Sequence, residues 1–172
     1  MVKKGNGKRI FFRIAMVALA CMLLGPFQYA GLSGALLVAL VIGFSMEPLE
    51  GAAALALYLL SGLLLAVYPG GGSGADVLLG ERGGFLLAMP FCILVISACV
   101  RGWNKQPFVG GLAGVLGAAL LYFGGGILWY TVKTEIPLGM VLSAGWGGTC
   151  FLFLMYGVFA MLCAASFRKM LK

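Results

Sequence analysis

The residue types that most often perform enzyme chemistry are sparse in this chain and stand far apart. Histidine, the commonest general base, is absent. No two carboxylates share an apolar segment, where burial would move a pKa toward a catalytic value. The carboxylates are Glu47, Glu50, Asp76, Glu81 and Glu135. We therefore expect no catalytic residue, and we expect that the protein is not an enzyme.

The cysteines do not have the spacing of a metal site. They stand singly within apolar segments, at Cys21, Cys92, Cys99, Cys150 and Cys163. No CxxC pair occurs, and no histidine exists to complete a zinc site. Buried free cysteine usually packs as a small hydrophobic side chain. We predict neither a bound metal nor a cofactor.

A glycine-rich stretch from Tyr68 to Phe85 is the strongest candidate for a ligand site or a lid. Glycine allows a ligand to approach the main chain closely. Arg82 precedes Gly83 and Gly84 at the expected start of a helix, where free N–H groups and the helix dipole stabilise an anion. Arg82 is thus placed to bind a carboxylate. The alternative is a solvated loop residue or an ion partner of Glu81.

The predicted binding residues lie on this loop and at the ends of neighbouring helices. Small-molecule sites are mostly apolar and contain a few well-placed polar groups. The predicted substrate-binding residues are Gln28, Tyr68, Gly71, Gly72, Ser73, Asp76, Arg82, Lys133, Trp146 and Thr149. Lys133 is a second candidate for the carboxylate. Trp146 either forms part of the pocket wall or packs within the protein. Tyr68 either contacts the ligand or belongs to the belt of aromatic residues at the membrane interface.

The elements that must position these residues are membrane helices. The chain of 172 residues is 62% hydrophobic and 10% charged, with a mean hydropathy of +1.07. A soluble domain carries about 25% charged residues. We therefore predict an all-α integral membrane protein, located in the plasma or inner cell membrane as one domain over residues 1–172. Residues 1–9 form its basic amino-terminal segment, and residues 68–83 form its glycine-rich extracytoplasmic loop.

Six apolar segments predict a bundle of six transmembrane helices. A spanning helix needs roughly 17–25 residues, so the second and third segments are short. The segments are Ile10–Gly25, Gly31–Met46, Gly51–Val67, Gly84–Val100, Phe108–Tyr130 and Met140–Phe167.

The basic residues predict that both termini are cytoplasmic. With the amino terminus inside, ten basic residues face the cytoplasm and two, Arg82 and Lys133, face outward. The ten are Lys3, Lys4, Lys8, Arg9, Arg13, Arg101, Lys105, Arg168, Lys169 and Lys172. This asymmetry follows the positive-inside rule. The net charge of +7 indicates attraction to anionic membrane lipid rather than binding to nucleic acid.

The loop and its neighbours resemble the BioY family. The similarity covers Gly31–Ala88, and the rest of the chain agrees in architecture. Its motifs are Leu57-Tyr58-Leu59-Leu60-Ser61-Gly62, the glycine run Gly70–Gly74, and Val77-Leu78-Leu79-Gly80-Glu81-Arg82-Gly83-Gly84-Phe85. BioY proteins are the biotin-binding S components of energy-coupling factor (ECF) transporters. The resemblance implies that the chain captures biotin on the outer face. It also implies partnership with a transmembrane coupling subunit and two cytosolic ATPase subunits.

One departure from the family pattern leaves the ligand open. Family members usually carry an aspartate and a lysine at the start of the last helix, where Thr149 and Leu152 stand here. A site that loses charged hydrogen-bonding partners changes its selectivity. The alternatives are therefore a different small vitamin-like ligand on the same fold, or a structural or assembly membrane protein without a ligand.

Overall fold

A computed structural model describes residues 6–29, 31–103, 106–143 and 146–170. The described chain is almost entirely helical, with one two-stranded hairpin and one 3-10 turn. The helices are α1 (Asn6–Leu24), α2 (Gly34–Ser45), α3 (Pro48–Ser61), α4 (Ala75–Leu78), α5 (Gly83–Gly102), α6 (Pro107–Thr134), α7 (Leu138–Ser143) and α8 (Gly147–Met170). The strands are β1 (Gln28–Tyr29) and β2 (Leu32–Ser33), and the turn is Pro69–Gly71. The prediction of an all-α fold is confirmed.

Each predicted apolar segment overlaps one of the long helices, in order α1, α2, α3, α5, α6 and α8. Within the part of the chain that the structure describes, three of these are long and apolar enough to cross a bilayer, namely Gly83–Gly102, Phe108–Thr134 and Gly147–Ser166. Helices α2 and α3 are apolar but have only 12 and 14 residues. Large apolar side chains lie on the outer surface, as at Leu64 and Leu120. Such a surface suits lipid and not water, and the protein is a multi-pass membrane protein.

Local signals explain where the short helices begin. The Ser33 hydroxyl accepts a hydrogen bond from the Leu36 amide at 3.3 Å and caps α2. Pro48 occupies the first turn of α3, where its missing N–H costs nothing. Helix α2 packs against α1, α5 and α8. It is therefore buried at the centre of the bundle.

Helices α5 and α6 form the closest pair in the bundle and run antiparallel. A β-carbon added at Gly84 would lie 2.3 Å from the Trp129 β-carbon, and one added at Gly126 would lie 2.2 Å from the Phe85 ring. Small residues at these points let the two backbones approach. This pair is the rigid wall on which the site described below is built.

The segment between α3 and α5 is more ordered than a plain loop. Tyr68 and Gly72 form a bridge around the 3-10 turn, and the Gly74 amide donates to the Gly62 carbonyl at 2.9 Å. Gly70, Gly71 and Gly74 have φ of +77°, +75° and +93°. This left-handed region favours glycine, which explains why glycines are concentrated there.

Candidate ligand-binding site

A cavity of about 670 Å³ opens at the end of the bundle where α5 and α8 begin and α6 ends. We call it the cavity. The residues that line it are Gln28, Gly31, Leu32, Ser33, Pro69, Val77, Arg82, Phe85, Leu86, Met89, Tyr122, Phe123, Tyr130, Ile136, Met140, Val141, Trp146 and Thr149. Its volume and its mostly apolar lining are typical of small-molecule sites.

The depth of the cavity follows from the helix geometry. Arg82 stands at the start of α5, and Met89 lies two turns further along the same helix. On the antiparallel α6, Tyr130 lies near the end and Tyr122 about two turns before it. At 1.5 Å per residue, the seven residues from Arg82 to Met89 span about 10 Å. Arg82 and Tyr130 therefore mark the mouth, and Met89 and Tyr122 mark the floor.

Aromatic rings form the deeper wall. The Phe85 ring stacks on the Trp146 ring, with centroids 5.8 Å apart and planes at 23°. Tyr122 lies against Phe85 and Phe153, with centroid distances of 5.2 and 5.3 Å. Helices α5, α6 and α8 each contribute to this cluster, so their packing fixes its shape. A flat, partly apolar group would find favourable ring contacts here.

Some polar side chains of the lining are already engaged with the protein. Ser33 caps α2, as described above. The Trp146 indole N–H donates to the Val141 carbonyl at 2.6 Å, which joins the start of α8 to α7. This bond holds the Trp146 ring against Phe85. Trp146 therefore contributes an apolar surface to a ligand, and its donor is already used.

Other polar groups of the lining have no protein partner. Within the described ranges, the side chains of Gln28, Arg82, Tyr122 and Tyr130 make no ion pair and no hydrogen bond to another residue. Of the lining residues that the structure describes, Arg82 alone carries a charge. The cavity therefore combines one unpaired cation with three uncharged hydrogen-bonding groups on an apolar wall.

The structure brings part of the predicted set together. Gln28, Arg82, Trp146 and Thr149 all line the cavity, although they come from three distant parts of the sequence. From the glycine-rich loop, the lining takes Pro69 and Val77, which were not in the predicted set. The predicted residues outside the lining are Tyr68, Gly71, Gly72, Ser73, Asp76 and Lys133.

Two of the residues outside the lining have structural contacts of their own. Tyr68 is completely buried, and its hydroxyl donates to the Leu59 carbonyl at 2.5 Å. Burial raises the pKa of Tyr68 above its ordinary value, so the hydroxyl remains a neutral donor. The Lys133 ammonium lies 5.6 Å from the centre of the Trp129 ring. Trp129 in turn donates to the Gly80 carbonyl at 2.9 Å and holds the loop against α6.

Several lining residues were missed because they lie inside apolar segments. Phe85, Met89, Tyr122 and Phe123 look like ordinary core or lipid-facing residues in the sequence. One signal was available, since a tyrosine in the middle of a long apolar segment must place its hydroxyl somewhere. Among the described residues, no group of three or more histidine, cysteine, aspartate or glutamate side chains is arranged to hold a metal ion.

The fold and the site together define a multi-pass membrane protein with a ligand-sized cavity at one end of its bundle. The model of the BioY family matches residues 8–172, and the chain belongs to that family. Comparison with curated proteins gives no match. A crystal structure of "the S-component for biotin from an ECF-type ABC transporter" superposes with a TM-score of 0.81 at 18% identity. The superposition covers 98% of this chain and 95% of the other, and it establishes the shared fold.

Proposed function

We propose that the protein is the substrate-binding membrane subunit of an ECF-type vitamin transporter and that it captures biotin for uptake. Membership of the BioY family and the likeness to an S component for biotin support this proposal. The observation that carries it is the cavity itself. Of the described lining residues, Arg82 alone carries a charge, and it stands at the mouth of a mostly apolar, aromatic cavity of about 670 Å³.

The chemistry of the lining favours a ligand with one negative charge. Arg82 has no carboxylate partner in the described structure and lies at the start of α5. A guanidinium there binds a carboxylate through charge-assisted hydrogen bonds. The apolar wall below it suits a hydrocarbon chain, and Gln28 and Thr149 suit a polar head. Biotin combines these three parts, with a carboxylate, an aliphatic chain and a ureido ring.

We propose that the cavity faces outward and that six helices cross the membrane. The distribution of basic residues supports this orientation, because Arg13 and Arg101 lie at the end of the bundle opposite the cavity. Ligand would enter from outside, with Gly70–Gly74 as a lid. The protein would then deliver it to a transmembrane coupling subunit and two cytosolic ATPase subunits, the partners that the family resemblance implies. Binding, and not catalysis, is the role that this lining supports.

Thermal unfolding of the detergent-purified protein with and without biotin tests the proposal. A ligand at a hundred times its Kd stabilises the folded state by about 2.7 kcal/mol, a shift that is easily measured. Arg82→Gln should weaken biotin binding by about tenfold to a hundredfold, because a hydrogen bond to a charged group is lost. Lys8→Gln is the control, since it removes an exposed cation of α1 outside the lining, and it should bind biotin as the wild type does.

The same assay separates the proposal from its rivals. Thr149 lines the cavity where the family usually has an aspartate, which favours a different small carboxylate as the second candidate. A competition series of carboxylate vitamins against biotin then ranks the ligands. Absence of any shift with biotin, together with a shift for another carboxylate, would replace the ligand and retain the site. Absence of a shift with every carboxylate would contradict the binding role.

A further inference from the structure

Tyr122 is a deeply buried polar residue of the cavity lining. It lies near the middle of α6 and is only 3% exposed, yet it lines the cavity. Its ring is fixed by Phe85, Phe123 and Phe153, with centroid distances of 5.2, 5.3 and 5.3 Å. Within the described part of the chain, its hydroxyl makes no hydrogen bond. The ring is held by packing, and the hydroxyl has no partner in the residues that the structure describes.

The Tyr122 hydroxyl borders the cavity and has no hydrogen-bond partner among the described residues. Buried tyrosine hydroxyls usually have a hydrogen-bond partner, and a buried polar group without one costs free energy. The other buried tyrosines of the bundle follow the rule. Tyr58 donates to the Val67 carbonyl at 3.1 Å, and Tyr68 donates to the Leu59 carbonyl. Tyr122 therefore differs from them in a way that points into the cavity.

The position of Tyr122 complements that of Arg82. The two groups lie at opposite ends of the cavity, separated along the helix axis by about 10 Å at 1.5 Å per residue. Between them the wall is apolar and aromatic. A ligand that satisfies both groups must carry an acid at one end and a hydrogen-bonding head about that far away.

We infer that the Tyr122 hydroxyl is the specificity-determining contact for the polar head of the ligand. The ligand carboxylate binds Arg82 at the mouth of the cavity. The polar head lies at the floor, where it forms a hydrogen bond with the Tyr122 hydroxyl. This inference rests on the proposed function and assigns an orientation to the ligand within it. Selection for a polar head follows, because an apolar head would leave the hydroxyl unsatisfied.

The substitution Tyr122→Phe removes the hydroxyl and keeps the ring. The substitution should not lower the melting temperature of the ligand-free protein, but it should weaken biotin binding. Without ligand, the melting temperature should not fall, because the substitution removes no hydrogen bond to a described residue. Biotin affinity should fall about tenfold, the equivalent of one ligand hydrogen bond. Tyr156→Phe, on α8 and outside the lining, is the matched control and should change neither quantity.

Biotinamide, which lacks the carboxylate charge, tests the orientation. Isothermal titration with biotin and biotinamide is performed on the wild type, Arg82→Gln and Tyr122→Phe. The loss caused by Arg82→Gln should be confined to biotin, and the loss caused by Tyr122→Phe should be equal for both ligands. A Tyr122→Phe loss that disappears with biotinamide would place Tyr122 at the carboxylate and overturn the inference.

The remaining outcomes distinguish the inference from the function on which it rests. If the wild type binds biotin and Tyr122→Phe binds it equally well, the inference is wrong and the proposed function stands. If Tyr122→Phe lowers the ligand-free melting temperature, the hydroxyl has a structural role and the inference is also wrong. If the wild type binds neither biotin nor biotinamide, both the proposed ligand and the inference fail.

Discussion

The two ends of the bundle differ in whether their arginine side chains form ion pairs. At the cavity end, Arg82 is unpaired within the described structure and faces about 670 Å³ of open space. At the other end, which we call the ion-pair end, Arg13 lies 3.5 Å from Glu50, and Arg101 lies 2.7 Å from Glu47. The cleft there measures only about 230 Å³. Paired charges stabilise the protein itself, whereas an unpaired cation in a cavity is available to a ligand.

The comparison extends to hydrogen bonding. In the cleft of the ion-pair end, the buried Ser97 hydroxyl donates to the Gly43 carbonyl at 2.9 Å and joins α5 to α2. At the cavity end, Tyr122 is equally buried as a residue, but its hydroxyl borders the cavity and has no partner among the described residues. Buried polar groups are nearly always satisfied in folded proteins. Among the described residues, the buried side-chain atom without a hydrogen-bond partner is Glu50 Oε2, which has the Arg13 guanidinium 3.5 Å away. The Tyr122 hydroxyl differs from it because it borders the cavity, where the proposed ligand would supply a hydrogen bond.

The largest effect on stability is expected at Gly84, which lets α5 and α6 form the wall of the cavity. In Gly84→Ala, the new methyl group would lie 2.3 Å from the Trp129 β-carbon, so the two helices must separate. Overpacking costs about 1–3 kcal/mol of unfolding free energy and occasionally more, and a contact this short places Gly84→Ala at or above the upper end of that range. Thermal unfolding in detergent measures the loss. Biotin affinity should fall as well, because Trp129 also holds the loop at Gly80.

Gly124→Ala is the matched control for this prediction. It lies on α6 and its new β-carbon would meet nothing within 4 Å, so its stability should be equal to or higher than that of the wild type. Equal melting temperatures for Gly84→Ala and Gly124→Ala would show that the wall of the cavity tolerates expansion. In that case the packing of α5 against α6 would not fix the shape of the cavity.

An intermediate effect is expected at Arg13, in the ion-pair end. Its partner Glu50 is only 14% exposed, so Arg13→Met leaves a largely buried carboxylate without a cation. The expected loss is about 1–3 kcal/mol of unfolding free energy. Arg101→Met is the control, because its partner Glu47 is 62% exposed and an exposed pair contributes at most about 1 kcal/mol.

The double variant Arg13→Met/Glu50→Gln should recover part of the stability lost in Arg13→Met, since the unpaired charge is then gone. Isothermal titration should give wild-type biotin affinity for all of these variants, because they lie at the end opposite the cavity. A clear loss of biotin affinity in Arg13→Met would mean that the two ends do not act separately.

The helices were predictable from sequence, and their ends were less so. Long apolar runs identify helices because a bilayer accepts few other structures. Hydropathy does not show, however, where a helix ends within an apolar run. The predicted sixth segment begins at Met140, but Met140 belongs to the separate helix α7, and α8 begins at Gly147. Similarly, α3 ends at Ser61 and not at Val67. Residues 62–67 leave the helix and turn without any loss of apolar character.

The candidate site was predictable where polar residues interrupt apolar sequence. Arg82, Gln28 and Thr149 stand out in that way, and all three line the cavity. Phe85 and Tyr122 do not stand out, because the sequence of an apolar segment does not show whether a residue faces lipid, the core or a cavity. The glycine loop was predictable as irregular backbone, but which of its residues face the cavity depends on how it folds over α6. That depends on a contact across 49 positions, between Gly80 and Trp129.

The smallest effect on stability is expected for Arg82→Gln in the absence of ligand. Arg82 is exposed and has no ion pair in the described structure, so its removal should change the unfolding free energy by no more than about 0.5 kcal/mol. Thermal unfolding without ligand, beside Arg13→Met, measures the difference between an unpaired and a paired arginine. A loss as large as that of Arg13→Met would mean that Arg82 supports the fold. In that case the weaker biotin binding expected of Arg82→Gln could not be assigned to a lost contact with the ligand.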